Sequence, residues 1–223
     1  MAITKSVEYI KKFIIDTLFP VKCSGCGVKN EIFCDNCVAK ARLAERETDR
    51  DIIALFDYRD TIIKNAIWEL KYHKKRYLGE RLGEILYENL MEEISNIKSG
   101  FIDRAIIIIP VPISKNKKRS RGYNQAFHIA KGFCMKENRK IFELRNDIVY
   151  RKVDAPPQAR ITNRKRRLEN VRGIFSIKNE KDIKGRTIIV IDDVTTTGGT
   201  INEISKVLKK SGAKKVIGFT LAH

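Results

Sequence analysis

The sequence predicts an α/β fold: an open, mostly parallel sheet flanked by helices, preceded by a small four-cysteine zinc-binding module and a helical linker. Thr187–Ile191 reads Thr-Ile-Ile-Val-Ile, five β-branched residues without a break, which suits a strand buried on both faces of a parallel sheet. Ala105–Ile109 is a second wholly apolar run of the same length. Two Cys-x-x-Cys pairs between residues 23 and 37 mark the module ahead of them.

In chain order, Ile3, Val7, Ile10, Ile14 and Leu18 recur at three- and four-residue spacing with lysines opposite. That pattern is an amphipathic helix, ended by Pro20. Cys23-Ser-Gly-Cys26-Gly27 and Cys34-Asp-Asn-Cys37 follow, with seven residues between Cys26 and Cys34. Each pair presents two thiolates from one tight turn, and four thiolates close a tetrahedral shell, so Cys23, Cys26, Cys34 and Cys37 read as a structural zinc site. With no water position left, the site is not catalytic. Its charge of −2 is screened in part by Lys22, Lys29 and Lys40. Cys134, alone on an apolar helix face, reads as core packing.

A charged linker, Arg42–Asp51, leads to a short strand at Ile52–Phe56 and two amphipathic helices. The first buries Ile62, Ile63, Ala66, Ile67 and Leu70, the second Leu78, Leu82, Ile85, Leu86, Leu90 and Ile94. Between them Lys71–Arg76 reads as a basic, solvated corner, and Trp68 as a core residue. After the Ala105–Ile109 strand come Pro110-Val-Pro112 and a basic loop holding Lys115, Lys117, Lys118, Arg119 and Arg121, then a helix to about Phe133. Ile148–Val153 suits an edge strand. Ala155–Gly173 lacks periodicity and carries seven charged residues, six of them basic, Arg164, Arg166 and Arg167 among them, so it reads as a mobile loop. Lys215–Leu221 supplies a further core strand.

The chemistry gathers at Asp192–Thr200. A bare carboxylate pair is costly inside a core, so Asp192 and Asp193 belong at the carboxyl end of their strand, the edge where open α/β sheets bind ligands. Thr195, Thr196, Thr197, Gly198, Gly199 and Thr200 offer hydroxyls and inward-turning N–H groups. The next helix, Ile201–Ser211, aims the positive end of its dipole at the same point. Carboxylates above a phosphate cradle suggest a sugar phosphate. Neither a Gly-x-x-x-x-Gly-Lys-Ser/Thr loop nor a Gly-x-Gly-x-x-Gly turn after a strand occurs.

Composition sets the partners. The net charge is +18, with 17 basic and 16 acidic side chains in residues 1–100 but 28 and 11 in residues 101–223. A surplus confined to the half with the phosphate cradle implies a polyanionic partner. No uncharged apolar run approaches membrane-spanning length, and charges interleave the N-terminal apolar residues, which implies a cytoplasmic protein rather than an exported one.

Thr187–Thr200 resembles the signature of type I phosphoribosyltransferases: four apolar residues, two acids, then a Thr/Gly loop. The resemblance implies that Asp192 and Asp193 hold the ribose hydroxyls of phosphoribosyl pyrophosphate (PRPP), and Thr195–Thr200 its 5′-phosphate, with Mg2+ bridging diphosphate and ribose. It also implies a pyrophosphate contact from the loop after the Ala105–Ile109 strand, and a flexible closing loop at Ala155–Gly173. Over nearly the whole length, Leu-Phe-Pro, four cysteines, Pro-Val-Pro…Arg-Gly-Tyr-Asn-Gln, Pro-Gln…Arg-Arg…Asn-Val-x-Gly-x-Phe and Ile-Asp-Asp-Val-Thr-Thr-Thr-Gly-Gly-Thr occur in that order. That order resembles the ComF (competence protein F) family, which couples a zinc module to a phosphoribosyltransferase domain and is associated with DNA uptake in natural transformation. Its Gln158–Asn170 spacing is one residue longer than the family's, which leaves open which arginine there faces a ligand.

The expected organisation is a helix and zinc module over 1–45, a linker strand and helices over 46–100, and the phosphoribosyltransferase-like domain over 101–223. Three functions stand open: a PRPP-binding protein that handles single-stranded DNA beside other DNA-uptake or recombination proteins, a phosphoribosyltransferase with a small nucleobase-like acceptor, and a PRPP-sensing regulator. An acceptor pocket is expected from residues 1–100 or a partner, since so little follows Leu221.

Overall fold

Side-by-side pairing of β-branched strands, each dry on both faces, makes the centre of the molecule. The computed structural model describes residues 20–45, 51–98, 105–136, 141–152 and 173–223. Along the chain its elements are α1 (Asp35–Lys40), β1 (Ile52–Phe56), α2 (Thr61–Tyr72), α3 (Arg76–Asn89), α4 (Met91–Lys98), β2 (Ile106–Pro110), α5 (Lys115–Arg121), α6 (Gln125–Met135), β3 (Phe142–Leu144), β4 (Val149–Arg151), β5 (Phe175–Ile177), β6 (Thr187–Val194), α7 (Gly199–Lys210) and β7 (Lys215–Ala222). The expected helix at residues 3–18 and the loop at residues 155–172 lie outside the described residues.

The main sheet is five-stranded and parallel, in the order β1-β7-β6-β2-β3. β6 is central, pairing with β7 from Thr187↔Lys215 to Val194↔Ala222 and with β2 up to Pro110↔Ile191. Side chains alternate between two packed layers, as the two-residue period of a strand requires. Ile189, Ile191, Ile217 and Phe219 face α2, α3 and α6. Ile188, Val190, Ile107 and Ile109 face α7 through Ile201, Ile204 and Leu208. All five carboxyl ends share one edge, so the segments after β2, β6 and β7 meet there.

The strand at Ile52–Phe56 forms one edge of this sheet by pairing with β7, and Leu43 bridges to Phe56. Buried residues of the four-cysteine segment (Cys23, Phe33 and Cys37) share a cluster with α2, α3 and the sheet. Two local expectations change. Residues 148–153 do not edge the main sheet: β4 pairs antiparallel with β5, Val149 opposite Ile177, in a separate two-stranded ribbon. Arg145 bonds Asp147 and Asp182, which turns the chain away after β3. The expected long helix from Leu78 to Ile94 is two, α3 and α4, with the break at Leu90 (φ −108°, ψ 25°). There Asn89 Nδ2 donates to the Ile85 carbonyl, a side-chain bond that competes with the backbone ladder.

α3 and α6 touch backbone to backbone. A Cβ on Gly83 would lie 2.0 Å from the Ile129 carbonyl oxygen, and one on Gly132 would lie 1.8 Å from that of Glu80. No side-chain rotation relieves such clashes, because both neighbours are main chain. Gly83→Ala and Gly132→Ala should each destabilise the fold by about 1–3 kcal/mol, the usual cost of overpacking, despite alanine's better helix propensity. Denaturant midpoints check this, and an unchanged or raised midpoint in both variants would refute the close approach.

Candidate functional site

β6 delivers its two acids still hydrogen-bonded in the sheet, with Asp192 opposite Thr220. Each carboxylate closes on the following backbone: Asp193 N donates to Asp192 Oδ1 at 2.8 Å, and Val194 N to Asp193 Oδ1 at 2.7 Å. Asp193 Oδ2 meets Lys71 Nζ at 3.0 Å, with the two side chains only 13% and 19% exposed. Burial, and then the neighbouring Asp193 carboxylate, push the Asp192 carboxyl up to about 8, against the opposing pull of the Asp193 N–H, Lys71 and Lys117. With the Asp192 carboxyl pushed up and Asp193 paired to Lys71, the two acids present carboxyl oxygens that suit hydroxyl donors.

Beyond the acids the chain turns into α7. Thr195 is buried: its N–H donates to the Ala222 carbonyl and its Oγ1 accepts from Gly198 N at 3.0 Å. Gly198 has φ +69°, a left-handed conformation that suits glycine, and caps α7. Thr196 is exposed, and its carbonyl lies 3.1 Å from His223 Nε2. Thr197, Gly199 and Thr200 complete the turn at the helix N-terminus, where unpaired N–H groups and the helix dipole favour an anion. Residues Asp192 to Thr200 are thus brought together as acids beside an anion cradle.

The segment after β2 is not the loop expected from its charge. Lys115–Arg121 forms α5, because Ser114 Oγ caps Lys117 N at 3.2 Å and Gly122 (φ +79°) ends the helix with a bond to the Lys118 carbonyl. The segment starts beside β6, where Val111 N donates to the Ile191 carbonyl. Lys117 is drawn below its ordinary value by desolvation and by Arg121 and Arg151, while Asp193 and Asp192 oppose the shift. Lys117 is therefore within electrostatic reach of the acids, though it is exposed on α5 like Lys115, Lys118 and Arg119, while Arg121 donates to Gln125 Oε1 at 2.9 Å. Arg164, Arg166 and Arg167 lie outside the described residues.

The sequence reading missed the contribution of α2. Lys71, placed in a solvated corner from its neighbours, is one of the site's cations. Tyr123 fixes its helix: the phenol is buried, donates to the Leu70 carbonyl, and is pushed up to about 12, mainly by burial. No local pattern marks this contact, which spans more than fifty residues. Trp68, expected in the core, is 53% exposed instead, because the buried stripe of α2 is Ile63, Ala66, Ile67 and Leu70.

The four cysteines converge as their spacing predicts. Their sulfurs all lie within 4.8 Å of one another, with Cys23–Cys34, Cys23–Cys37 and Cys26–Cys34 at 3.7 Å. A tetrahedral ion at about 2.3 Å from each thiolate requires about 3.8 Å between sulfurs, so the donor set fits a metal. Burial alone would push the Cys23 thiol up, but N–H groups of Cys26, Cys34 and Gly25 outweigh it and bring the thiol to about 6. A Cβ at Gly25 would fall 2.6 Å from Cys37 Sγ, which explains the glycine. Arg81 ties the module to α3, bonding Asp35 at 2.7 Å and the Phe33 carbonyl.

Comparison with known proteins now bears on this arrangement. Residues 139–223 match the phosphoribosyl transferase domain family. Competence protein F of Haemophilus influenzae is 26% identical over 202 residues, covering 90% of this chain and 84% of that protein. Competence protein ComFC of Bacillus subtilis is 26% identical over 203 residues, 89% of this chain and 76% of its own. Over about nine-tenths of its length this chain is similar to these competence proteins. The DNA utilization protein YhgH of Escherichia coli K12 is also similar, 23% identical over 87% of this chain and 80% of its own. The matched domain contains β6, the acids and the cradle, whereas Lys71, Lys117 and Arg121 lie upstream of it. No helix among the described residues is long and apolar enough to cross a membrane.

The raised carboxyl of Asp192 sets a pH dependence. In the unfolded chain this group ionises near 4, and in the folded chain at about 8. Unfolding therefore releases a proton between those values, and stability from this group falls as pH rises through that window, then levels off. Asp192→Asn keeps the acceptor for Asp193 N and never ionises. It should raise the melting temperature, with a gap that opens from pH 4, reaches a few kcal/mol at about pH 8 and widens no further. A pH-independent gap would show that Asp192 is not held protonated.

Proposed function

We propose that the chain binds PRPP with Mg2+ at Asp192–Thr200 and handles single-stranded DNA during uptake in natural transformation. The observation that carries this reading is the acid pair at the end of β6, set between the α7 N-terminus and the cations Lys71 and Lys117. Asp192 and Asp193 accept from the ribose 2′- and 3′-hydroxyls, and Thr195–Thr200 hold the 5′-phosphate with backbone and hydroxyl donors. Lys117 and Arg121 neutralise the diphosphate, with Lys115, Lys118 and Arg119 outside them. Mg2+ supplies further charge neutralisation at the diphosphate when bound. In such a site the chain's part is positioning and charge stabilisation as the bond to the diphosphate opens. The names of the relatives, which refer to competence and DNA utilization, and the charge of +18 support a nucleic-acid partner. Zn2+ is the metal proposed for the four cysteines, as a structural ion that joins the module to the core.

One observation favours a second reading, a phosphoribosyltransferase with a small nucleobase-like acceptor. A cavity of about 390 Å³ adjoins the cradle, lined by Asp57, Tyr58, Arg59, Thr196 and His223 among others. Most of its wall comes from residues 42–59, the part of the chain in which such a pocket was expected.

Two measurements test the reading. Mg2+ and PRPP should raise the melting temperature by an amount that corresponds to about 2.7 kcal/mol at a hundredfold excess over the dissociation constant. Thr200→Ala and Asp193→Asn should lose that shift. A shift retained in both variants would remove the site assignment, while PRPP turnover assayed with and without single-stranded DNA separates the two readings. Metal analysis should find one zinc per chain, absent in Cys37→Ser, whose melting temperature should fall sharply because structural zinc contributes on the order of 10–16 kcal/mol in small modules. Protein prepared without chelator and free of zinc would refute that part.

A further inference from the structure

The outer face of α2 carries aromatic rings that the fold does not use. Trp68 and Tyr72 are one turn apart on the side opposite the buried stripe, 53% and 61% exposed, with ring centroids 5.8 Å apart and planes tilted by 48°. His73 packs on Trp68 at 4.6 Å. Leaving an indole and a phenol in water forgoes the burial that usually places such rings inside, so an exposed pair is informative.

Their surroundings are cationic. Lys64 is exposed four residues before Trp68, on the same stripe. Arg121 of α5 stands 5.8 Å above the Tyr72 ring, which connects the aromatic face to the basic helix. The one carboxylate of α2, Glu69, is ion-paired to Lys75 at 2.7 Å. Aromatic faces interleaved with lysine and arginine fit a strand whose bases stack while its phosphates run along the cations. A folded acidic protein would satisfy the charge but leave the rings without flat partners.

We infer that Trp68 and Tyr72, flanked by His73, Lys64 and Arg121, form a base-stacking platform for single-stranded nucleic acid on the outer face of α2. The inference rests on the nucleic-acid part of the proposed function and adds where the strand lies: on a helix upstream of the matched domain, next to the acid pair and not inside it. The rings are too close together for a base to slide between them, so bases stack on their outward faces. Stacking recognises any base, so the platform reads bases without reading sequence.

Trp68 is the only tryptophan of the chain, so its emission reports this surface alone. A saturating thymidine oligonucleotide should quench that emission in the full-length protein. An abasic oligonucleotide of equal length should bind with a similar salt slope and quench far less, and inorganic polyphosphate should not quench. With labelled oligonucleotide, Trp68→Leu and Tyr72→Leu should each weaken binding about fivefold or more while leaving the slope of log affinity against log salt unchanged. Both positions are exposed, so zinc content and the PRPP-dependent melting shift serve as folding controls. Saturated binding with unchanged emission, or a double variant that binds as tightly as the parent, would overturn the platform and leave the basic surface as the binding site. Equal quenching by polyphosphate would also overturn it, since the surface would then sense charge only. Loss of all oligonucleotide binding in the parent protein, with the PRPP shift intact, would sink the nucleic-acid reading and this inference together while sparing the sugar-phosphate site.

Discussion

Two carboxylates at the end of a dry strand constrain the rest of the molecule. β6 is shielded on both faces and paired on both edges, so Asp192 and Asp193 reach the carboxyl edge with little water to solvate them. Unpaired charge in such a place is expensive, and the chain offsets it in two ways: Asp192 holds its proton, and Asp193 takes Lys71. Lys71 comes from α2, so that helix must be docked for the acids to be compensated. Tyr123 secures the docking from the other side through the Leu70 carbonyl.

The N-terminal half is therefore part of the site rather than a preface to it. Its position depends on α3, which presses against α6 at Gly83 and Gly132, and on the four-cysteine module, whose Phe33 and Cys37 enter the same core. Arg81 joins Asp35 to α3, and Gly25 allows the sulfur cluster to approach Ile62 of α2. A metal that closes the cysteine shell thus bears on the helix that carries Lys71. The chain of contact runs from the sulfur cluster to α2 at Ile62, and from α2 at Lys71 to Asp193.

What could be read in the sequence follows from how local each signal is. Ile106–Ile109 and Thr187–Ile191 announce buried parallel strands because a strand dry on both faces needs an apolar residue at every position. The cysteines announce their cluster because two short turns fix the spacing of four sulfurs. Amphipathic periodicity gives α2 and α3, yet it places Trp68 wrongly: a large apolar residue counts toward the core in any such reading, whereas four smaller residues already fill the buried stripe. α5 shows the opposite error. Its charge suggests a solvated loop, but lysine and arginine are good helix formers and the Ser114 and Gly122 caps define both ends. Lys71 and Tyr123 carry no local signature, since their contacts are set by how helices pack on a finished sheet.

Charge separates what the two proposed ligands require. If the diphosphate of PRPP and the backbone of a nucleic acid both draw on Lys117 and Arg121, as proposed, their phosphates oppose each other through shared cations. Stacking on Trp68 and Tyr72 involves no charge and is indifferent to that opposition. Filling the sugar-phosphate site would then weaken the electrostatic part of nucleic-acid binding and leave the stacking part in place. A strand held by its bases on α2 lies within one helical residue of Lys71, and Lys71 contacts Asp193. In the proposed arrangement the same turn of helix carries the ring that holds a base and the ammonium that balances the acid pair, which places the two proposed ligands at neighbouring residues of α2.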